Sequence, residues 1–100
     1  MSKAQLQGVY KATSLIGSKW TLIILFNLCI TKKGFNELQR LARGISPRTL
    51  SLRLKKLVAG GLVAKKVLPM NPPRVEYSLT SKGRALKKVI SDLGRWADQV

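Results

Sequence analysis

Ser46-Pro47-Arg48-Thr49-Leu50-Ser51-Leu52-Arg53-Leu54-Lys55-Lys56-Leu57-Val58 is the stretch whose reading decides the fold. Ser46 is a favoured helix N-cap, and Pro47 suits the first helical position, where no amide donor is needed. Leu50, Leu54 and Leu57 fall at i, i+4 and i+7, a stripe to be buried. Arg48, Thr49, Ser51, Leu52, Arg53, Lys55 and Lys56 occupy the rest of the surface, with no acid among them. A short helix with an apolar back and a cationic, hydroxyl-bearing front fits the DNA major groove, which is wide enough to admit it. The same features describe an ordinary amphipathic helix with a solvated basic face, and the segment alone leaves both readings open.

The neighbours of this helix narrow the choice. Upstream, Asn36 with Gln39 three residues on resembles a capping box, so a short helix is expected there. Its Leu38 and Leu41 are expected to face inward and its Arg40 and Arg43 outward, with Gly44-Ile45 making the turn. Helix, glycine-containing turn and the Ser46 helix in direct succession form a helix-turn-helix layout. Downstream, Gly60-Gly61 stops the helix near Ala59. Leu62 to Leu68 reads as a strand, and Pro69, Asn71, Pro72 and Pro73 impose a loop. Val75, Tyr77 and Leu79 then alternate with Glu76 and Ser78 as a half-buried strand. This hairpin is a wing, with Lys66 and Arg74 flanking its loop. Glu76, on the polar side of its strand, is expected to pair with a nearby cation.

Further out, Leu6, Val9, Tyr10, Thr13 and Ile16 recur at helical spacing, giving a first helix that ends near Gly17 after a frayed Met1 to Gln5. Its apolar stripe can pack on the core or on a second subunit. Ser18 can cap the next helix, and Trp20 to Cys29 is apolar on nearly every side, as a central buried helix is. Thr31 to Phe35 reads as a basic connector. Thr80 or Ser81 caps a last helix whose apolar face holds Leu86, Val89, Ile90, Leu93 and Trp96 or Ala97. Lys82, Arg84, Lys87, Lys88 and Arg95 mark its other face. Trp96 suits either a dimer anchor or the closure of the monomer core.

Composition sets the class. One hundred residues, 45% of them hydrophobic, allow one domain with a small core that a partner subunit can complete. Nineteen Lys and Arg against four Asp and Glu give a formal charge of +15, which calls for a polyanionic partner, nucleic acid before an anionic membrane surface. The cations are threaded through periodic segments, as in a folded basic domain and not a disordered arm. With one cysteine, Cys29, and no histidine, an intramolecular disulfide is impossible and a zinc site has almost no ligands. No cofactor or metal is expected. The apolar run from Trp20 to Ile30 is shorter than the roughly 18 to 20 residues of a membrane span. A reducing, cytoplasmic and nucleoid-associated setting is therefore expected. Cys29 reads as a small buried hydrophobe; sensing by it would need a lowered pKa and solvent access, with Lys32 and Lys33 as the nearby cations.

Several blocks resemble the HxlR family of transcriptional regulators: Leu15-Ile16-Gly17-Ser18-Lys19-Trp20-Thr21-Leu22-Ile23-Ile24-Leu25, Phe35-Asn36-Glu37-Leu38-Gln39-Arg40, and Gly44-Ile45-Ser46-Pro47-Arg48-Thr49-Leu50-Ser51. Gly61-Leu62-Val63, Pro72-Pro73-Arg74-Val75-Glu76-Tyr77-Ser78-Leu79-Thr80 and Lys82-Gly83-Arg84-Ala85-Leu86 extend the match over nearly the whole chain. The resemblance implies a mainly α winged helix-turn-helix with a small β-hairpin, related to the MarR group. It also implies operator binding as a homodimer, with the Ser46 helix as the recognition helix and helices at both termini building the dimer from Leu6, Val9, Tyr10, Leu86, Val89, Ile90, Leu93 and Trp96. Two departures stand out. Many members carry Cys-Pro before the first helix, some of them to sense electrophiles or oxidants, where this chain has Gln7-Gly8. Leu52 stands where the family often places a polar residue.

The leading functional reading is thus a dimeric, sequence-specific binder of double-stranded DNA. Ser46 and the amides at its helix start would hold a phosphate, aided by the helix dipole. Arg48, Thr49, Leu52 and Arg53 would face the bases. Arg40, Arg43 and Lys56 would hold backbone phosphates, and Lys65, Lys66 and Arg74 would bring the wing against the minor groove or its phosphates. Two-fold symmetry would place half-sites roughly 34–36 Å apart. The alternative is an architectural, chromatin-like protein that coats DNA without reading it, which the charge favours. An effector-responsive sensor has no ligand signature in the sequence. An enzyme fits least: there is no histidine, no metal cluster and no phosphate-binding glycine loop, and the only carboxylates are Glu37, Glu76, Asp92 and Asp98.

Overall fold

The computed structural model describes residues 1–100. Its elements are α1 (Lys3–Ile16), α2 (Lys19–Ile30), β1 (Lys33–Gly34), α3 (Phe35–Leu41), α4 (Pro47–Ala59), β2 (Val63–Leu68), β3 (Arg74–Leu79), α5 (Ser81–Arg84) and α6 (Lys87–Asp98). The strands form one antiparallel sheet in the order β1-β3-β2, a winged-helix arrangement.

The leucine stripe of α4 is the centre of the core. Leu50, Leu54 and Leu57 are buried against Ile24, Leu25 and Leu28 of α2, Leu38 and Ala42 of the α3 segment, and Leu62, Val63, Tyr77 and Leu79 of the sheet. Ser46 caps α4 by accepting from the Thr49 amide at 3.1 Å. Gly44, at φ +90°, carries the turn between α3 and α4 in a conformation that costs other residues energy. At the far end Gly61, at φ +76°, reverses the chain so that the Leu62 amide reaches the Leu57 carbonyl.

The structure departs from the sequence expectations at several points. The N-terminus is not frayed up to Gln5: Ser2 and Gln5 form a reciprocal capping box, and α1 begins at Lys3. The basic connector contains a strand, because Lys33 and Gly34 pair with Tyr77 and Glu76. The short helix starts at Phe35, two residues earlier than an Asn36 cap allows. Its cap is the Gly34 amide donating to Glu37 Oε1 at 3.2 Å, so Glu37 takes the part expected of Gln39. Leu41 is exposed and Ala42 takes its inward place, since the chain leaves helical geometry there. Helix α2 is not buried all round: Phe26 and Ile30 are open on one side. Cation placement differs as well. Lys33, part of the connector expected to be basic, is only 7% exposed and donates to the Thr31 and Asn27 carbonyls at 3.1 and 3.4 Å. There its charge meets the negative end of the α2 dipole.

The last helix is broken. Thr80 caps α5 by accepting from the Gly83 amide, and a turn at Ala85-Leu86 separates it from α6. Lys82 and Arg84 do not lie free on an outer face. Lys82 donates to the Gly60 carbonyl at 3.2 Å, closing the C-terminus of α4, and Arg84 donates to the Leu79 carbonyl at 2.9 Å. Trp96 remains 60% exposed, so it does not close the core. No single helix is long and apolar enough to cross a membrane.

Candidate nucleic-acid interface

Helix α4 presents its cationic front outward because the leucine back leaves it no alternative. Arg48, Ser51, Leu52, Lys55 and Lys56 are exposed, while Thr49 and Arg53 are half-buried at the edges of the face. Leu52 is an exposed leucine at its centre, open to contact with an apolar group. At the helix start, the Ser46 hydroxyl donates to Thr49 Oγ1 at 2.9 Å and accepts from the Thr49 amide. Pro47 has no N–H, and the Leu50 amide is bonded to the Ser46 carbonyl. Of the first-turn amides only that of Arg48 is left to meet an anion. A phosphate placed at this helix start would meet the Arg48 amide.

The other candidate cations fall into groups. Arg40 and Arg43 are exposed on the α3 side of the turn. Lys65 and Lys66 are adjacent on β2 and so point to opposite faces of the sheet. Lys65 stands across from Tyr77 and shares a small cleft with Ser51, Leu54, Lys55 and Val58 of α4. It therefore extends the α4 surface and brings Lys55, a residue outside the expected set, into the same patch. Lys66 stands across from Glu76 on the other face. Arg74 is also on that side, and it is committed: its guanidinium lies 3.9 Å from Glu37 and 3.9 Å from Glu76, with Lys32 Nζ 3.8 Å from Glu76. A groove of about 730 Å³ runs between α3 and the wing loop, with Arg40 and Arg74 among its lining residues.

Electrostatics separates the two sets. Every ion pair of the chain uses Lys32, Arg74, Lys88 or Arg95 as its cation. Arg40, Arg43, Arg48, Arg53, Lys55, Lys56, Lys65 and Lys66 have no acidic partner. Their field is uncompensated, which attracts a polyanion. No group of His, Cys, Asp and Glu is placed to hold a metal ion.

Cys29 is half-buried, and burial pushes its thiol above the usual cysteine range, opposed only in part by Lys87. Lys32 and Lys33 are not the cations that act on it. Lys32 pairs with Glu76 and Lys33 is bound to main-chain carbonyls. A raised thiol pKa lowers the thiolate fraction that oxidants and electrophiles attack.

Known proteins share this arrangement. The chain is 37% identical over 89 residues to the uncharacterized HTH-type transcriptional regulator YvaP of Bacillus subtilis (strain 168), covering 89% of this chain and 82% of that one. It is 40% identical over 88 residues to the HTH-type transcriptional regulator YodB of the same organism, covering 88% and 79%. The solved structure of the redox regulator HypR in its oxidized form superposes with a TM-score of 0.88 at 36% identity, covering 93% of this chain and 96% of that one. Residues 15–100 match the HxlR-like helix-turn-helix family, and this chain belongs to it, a transcriptional regulator built on a helix-turn-helix DNA-binding domain.

Proposed function

We propose that the protein is a sequence-specific regulator that binds double-stranded DNA as a homodimer, each subunit inserting α4 into a major groove. One observation carries this reading: the α4 front, exposed and rich in cations, has no acidic partner, while its leucine back is fully buried. In this reading Arg48, Leu52 and Arg53 meet base edges, with Thr49 beside them. Arg40, Arg43 and Lys56 hold phosphates, and Ser46 fixes the helix start. Lys65 and Lys66 contact the duplex from the wing, Lys65 together with Lys55. Arg74 acts differently from the other wing cations, since it reaches a phosphate only by leaving Glu37 and Glu76.

Exposed apolar side chains support the dimer. Leu6, Val9 and Tyr10 on α1, and Val89, Leu93 and Trp96 on α6, stand open in the isolated chain. Leu86 and Ile90 have a different part, being packed against the monomer core. HypR is a redox regulator. That role is not carried over to Cys29, whose thiol pKa is raised, in a chain that has Gln7-Gly8 near its N-terminus.

Genome-wide selection of bound DNA tests the proposal. The expected result is an inverted repeat with half-sites roughly 34–36 Å apart, preferred over random duplex by a factor on the order of 10³ or more. The formal charge of +15 favours a second reading, an architectural protein that coats DNA. A preference below about tenfold, well short of specific binders, would establish that reading and overturn the first.

A further inference from the structure

Helix α4 and the wing meet at a seam. Ser51, Leu54, Lys55 and Val58 stand at i, i+3, i+4 and i+7 on α4, one stripe of the helix. Lys65 and Tyr77 stand directly opposite each other on β2 and β3, so their side chains share a face of the sheet. Stripe and pair close around a cleft of about 150 Å³. Its floor is apolar, with Leu54 buried. Its polar groups are the Ser51 and Tyr77 hydroxyls and the Lys55 and Lys65 ammonium groups, and no acid lines it. Tyr77 is only 8% exposed, yet its hydroxyl makes no hydrogen bond within the chain. No side-chain polar atom of the chain is both sealed from solvent and unpartnered. This hydroxyl therefore opens outward, on the cleft that its side chain lines. Burial pushes the phenol above the usual tyrosine range, which keeps it a neutral O–H donor.

Neither lysine has an acidic partner, since every ion pair of the chain uses other cations. Two ammonium groups brought to one cleft from separate elements repel each other, and an apolar floor strengthens that repulsion. The hydroxyl beside them is a largely buried donor without an acceptor. An anion rich in acceptor oxygens answers all of these groups at once. The cleft is smaller than the about 300–1,000 Å³ of small-molecule pockets, a size for one phosphate group and not for a whole nucleotide. We infer that Lys55, Lys65, Ser51 and the Tyr77 hydroxyl form the seat of a single backbone phosphate of the duplex, clamped between α4 and the wing. This rests on the DNA-binding reading above and deepens it, adding Tyr77 to the groups that touch the duplex. Continuity selects the duplex over a free phosphate, because Ser51 and Lys55 belong to the exposed, acid-free front of α4. A phosphate held by both elements fixes the wing against α4 on the DNA, and such contacts position without reading sequence.

The test uses the full chain with Tyr77→Phe, Lys55→Ala, Lys65→Ala and the double lysine substitution. Each is titrated with duplex recovered by the genomic selection and with random duplex of the same length. Lys55 and Lys65 are exposed and Tyr77→Phe keeps the ring in the core, so melting profiles are expected to match the parent. Tyr77→Phe should weaken binding on the order of 10-fold per subunit, equally on both duplexes. The slope of log K against log salt should not change, because no charge is removed. The double lysine variant should make that slope shallower by about 0.9 per subunit, the value of one phosphate. Its loss of affinity should differ from the sum of the two single losses, as for residues that share a partner. Additive losses with a slope change near 1.8 per subunit, twice the one-phosphate value, would put the lysines on separate phosphates and overturn the seat. Tyr77→Phe binding as tightly as the parent would also overturn it. Inorganic phosphate at matched ionic strength should leave DNA affinity unchanged. A selective loss of affinity in phosphate that Tyr77→Phe abolishes would make free phosphate the occupant and overturn the assignment to the duplex. In all three cases DNA binding by the parent stands; a parent that binds neither duplex would overturn that reading as well.

Discussion

At the scale of single residues, chemistry at the α4 surface divides cleanly by face. Leu54 is buried among α2, α4 and sheet side chains, and Leu52, two positions away, stands in solvent. Replacing Leu54 with Ala is expected to cost about 2–5 kcal/mol of folding stability from lost burial and a residual cavity. Leu52→Ala should change stability by less than about 0.5 kcal/mol, as surface substitutions do; urea denaturation of the two variants checks this contrast. Arg48 is the residue on which recognition is expected to depend most. Arg48→Ala should cost on the order of 1–3 kcal/mol of DNA affinity with specificity relaxed at one base position. Competition binding against a panel of single-base operator variants measures it, and a loss spread equally over all sequences would make Arg48 a phosphate contact only. The apolar back and cationic front were legible in the linear spacing of Leu50, Leu54 and Leu57. That Thr49 and Arg53 sit at the half-buried margins was not, because periodicity gives a direction around the helix and not the bulk of the neighbours.

At the scale of elements, the joints are held by contacts between segments distant in sequence. Helix α5 approaches the start of β2 so closely that a Cβ on Gly83 would lie 2.1 Å from the Leu62 carbonyl oxygen. Backbone has to move to admit a side chain there, so Gly83→Ala should lower the melting temperature by several degrees. A destabilisation of about 1–3 kcal/mol, the usual cost of overpacking, is expected by calorimetry. Helix α6 is braced differently, by Asp92 between Lys88, at 2.8 Å, and Arg95. Hydrogen bonding from Lys88, foremost, and the charge of Arg95 hold the Asp92 carboxyl below the usual carboxylate range. A depressed folded-state pKa gives a contribution that is full above the ordinary Asp value and lost as pH falls through the folded value. Acidification should therefore loosen α6, and Asp92→Asn should remove this part of the pH dependence in a circular-dichroism titration. The break between α5 and α6 is hidden in the sequence because Leu86, Val89, Ile90 and Leu93 keep helical spacing across it. At the break Gly83 lies against Leu62 and Arg84 donates to the Leu79 carbonyl.

At the scale of the whole molecule, charge and core size together shape the behaviour. Only 17 of 100 residues are buried, so much apolar side chain remains on the terminal helices and on the α2 edge. That surplus is what a second subunit would cover. Arg40, Arg43, Arg48, Arg53, Lys55, Lys56, Lys65 and Lys66, around the helix-turn-helix and on the wing, have no acidic partner, whereas the acids Glu37, Glu76 and Asp92 are each engaged with Lys32, Arg74, Lys88 or Arg95. DNA binding is thus expected to be strongly salt-dependent. About eight phosphate contacts would give a slope of log K against log salt near −7, at about 0.9 per phosphate. Titrations at several salt concentrations test this, and a slope near zero would contradict an electrostatic interface.

Local sequence was enough to place the helix-turn-helix, its second helix α4 and the wing. Their signals lie within a few residues of one another: a Ser-Pro helix start, leucines on one face, glycines at the stops, prolines at the hairpin tip. Packing in three dimensions was needed for the third strand, the burial of Lys33, the commitment of Arg74 to two glutamates and the opening of the α2 edge. Each of these depends on which elements come together, as where Lys33 pairs with Tyr77 and Arg74 with Glu37. Such pairings are set by how packed elements meet, and no run of neighbouring residues encodes that meeting.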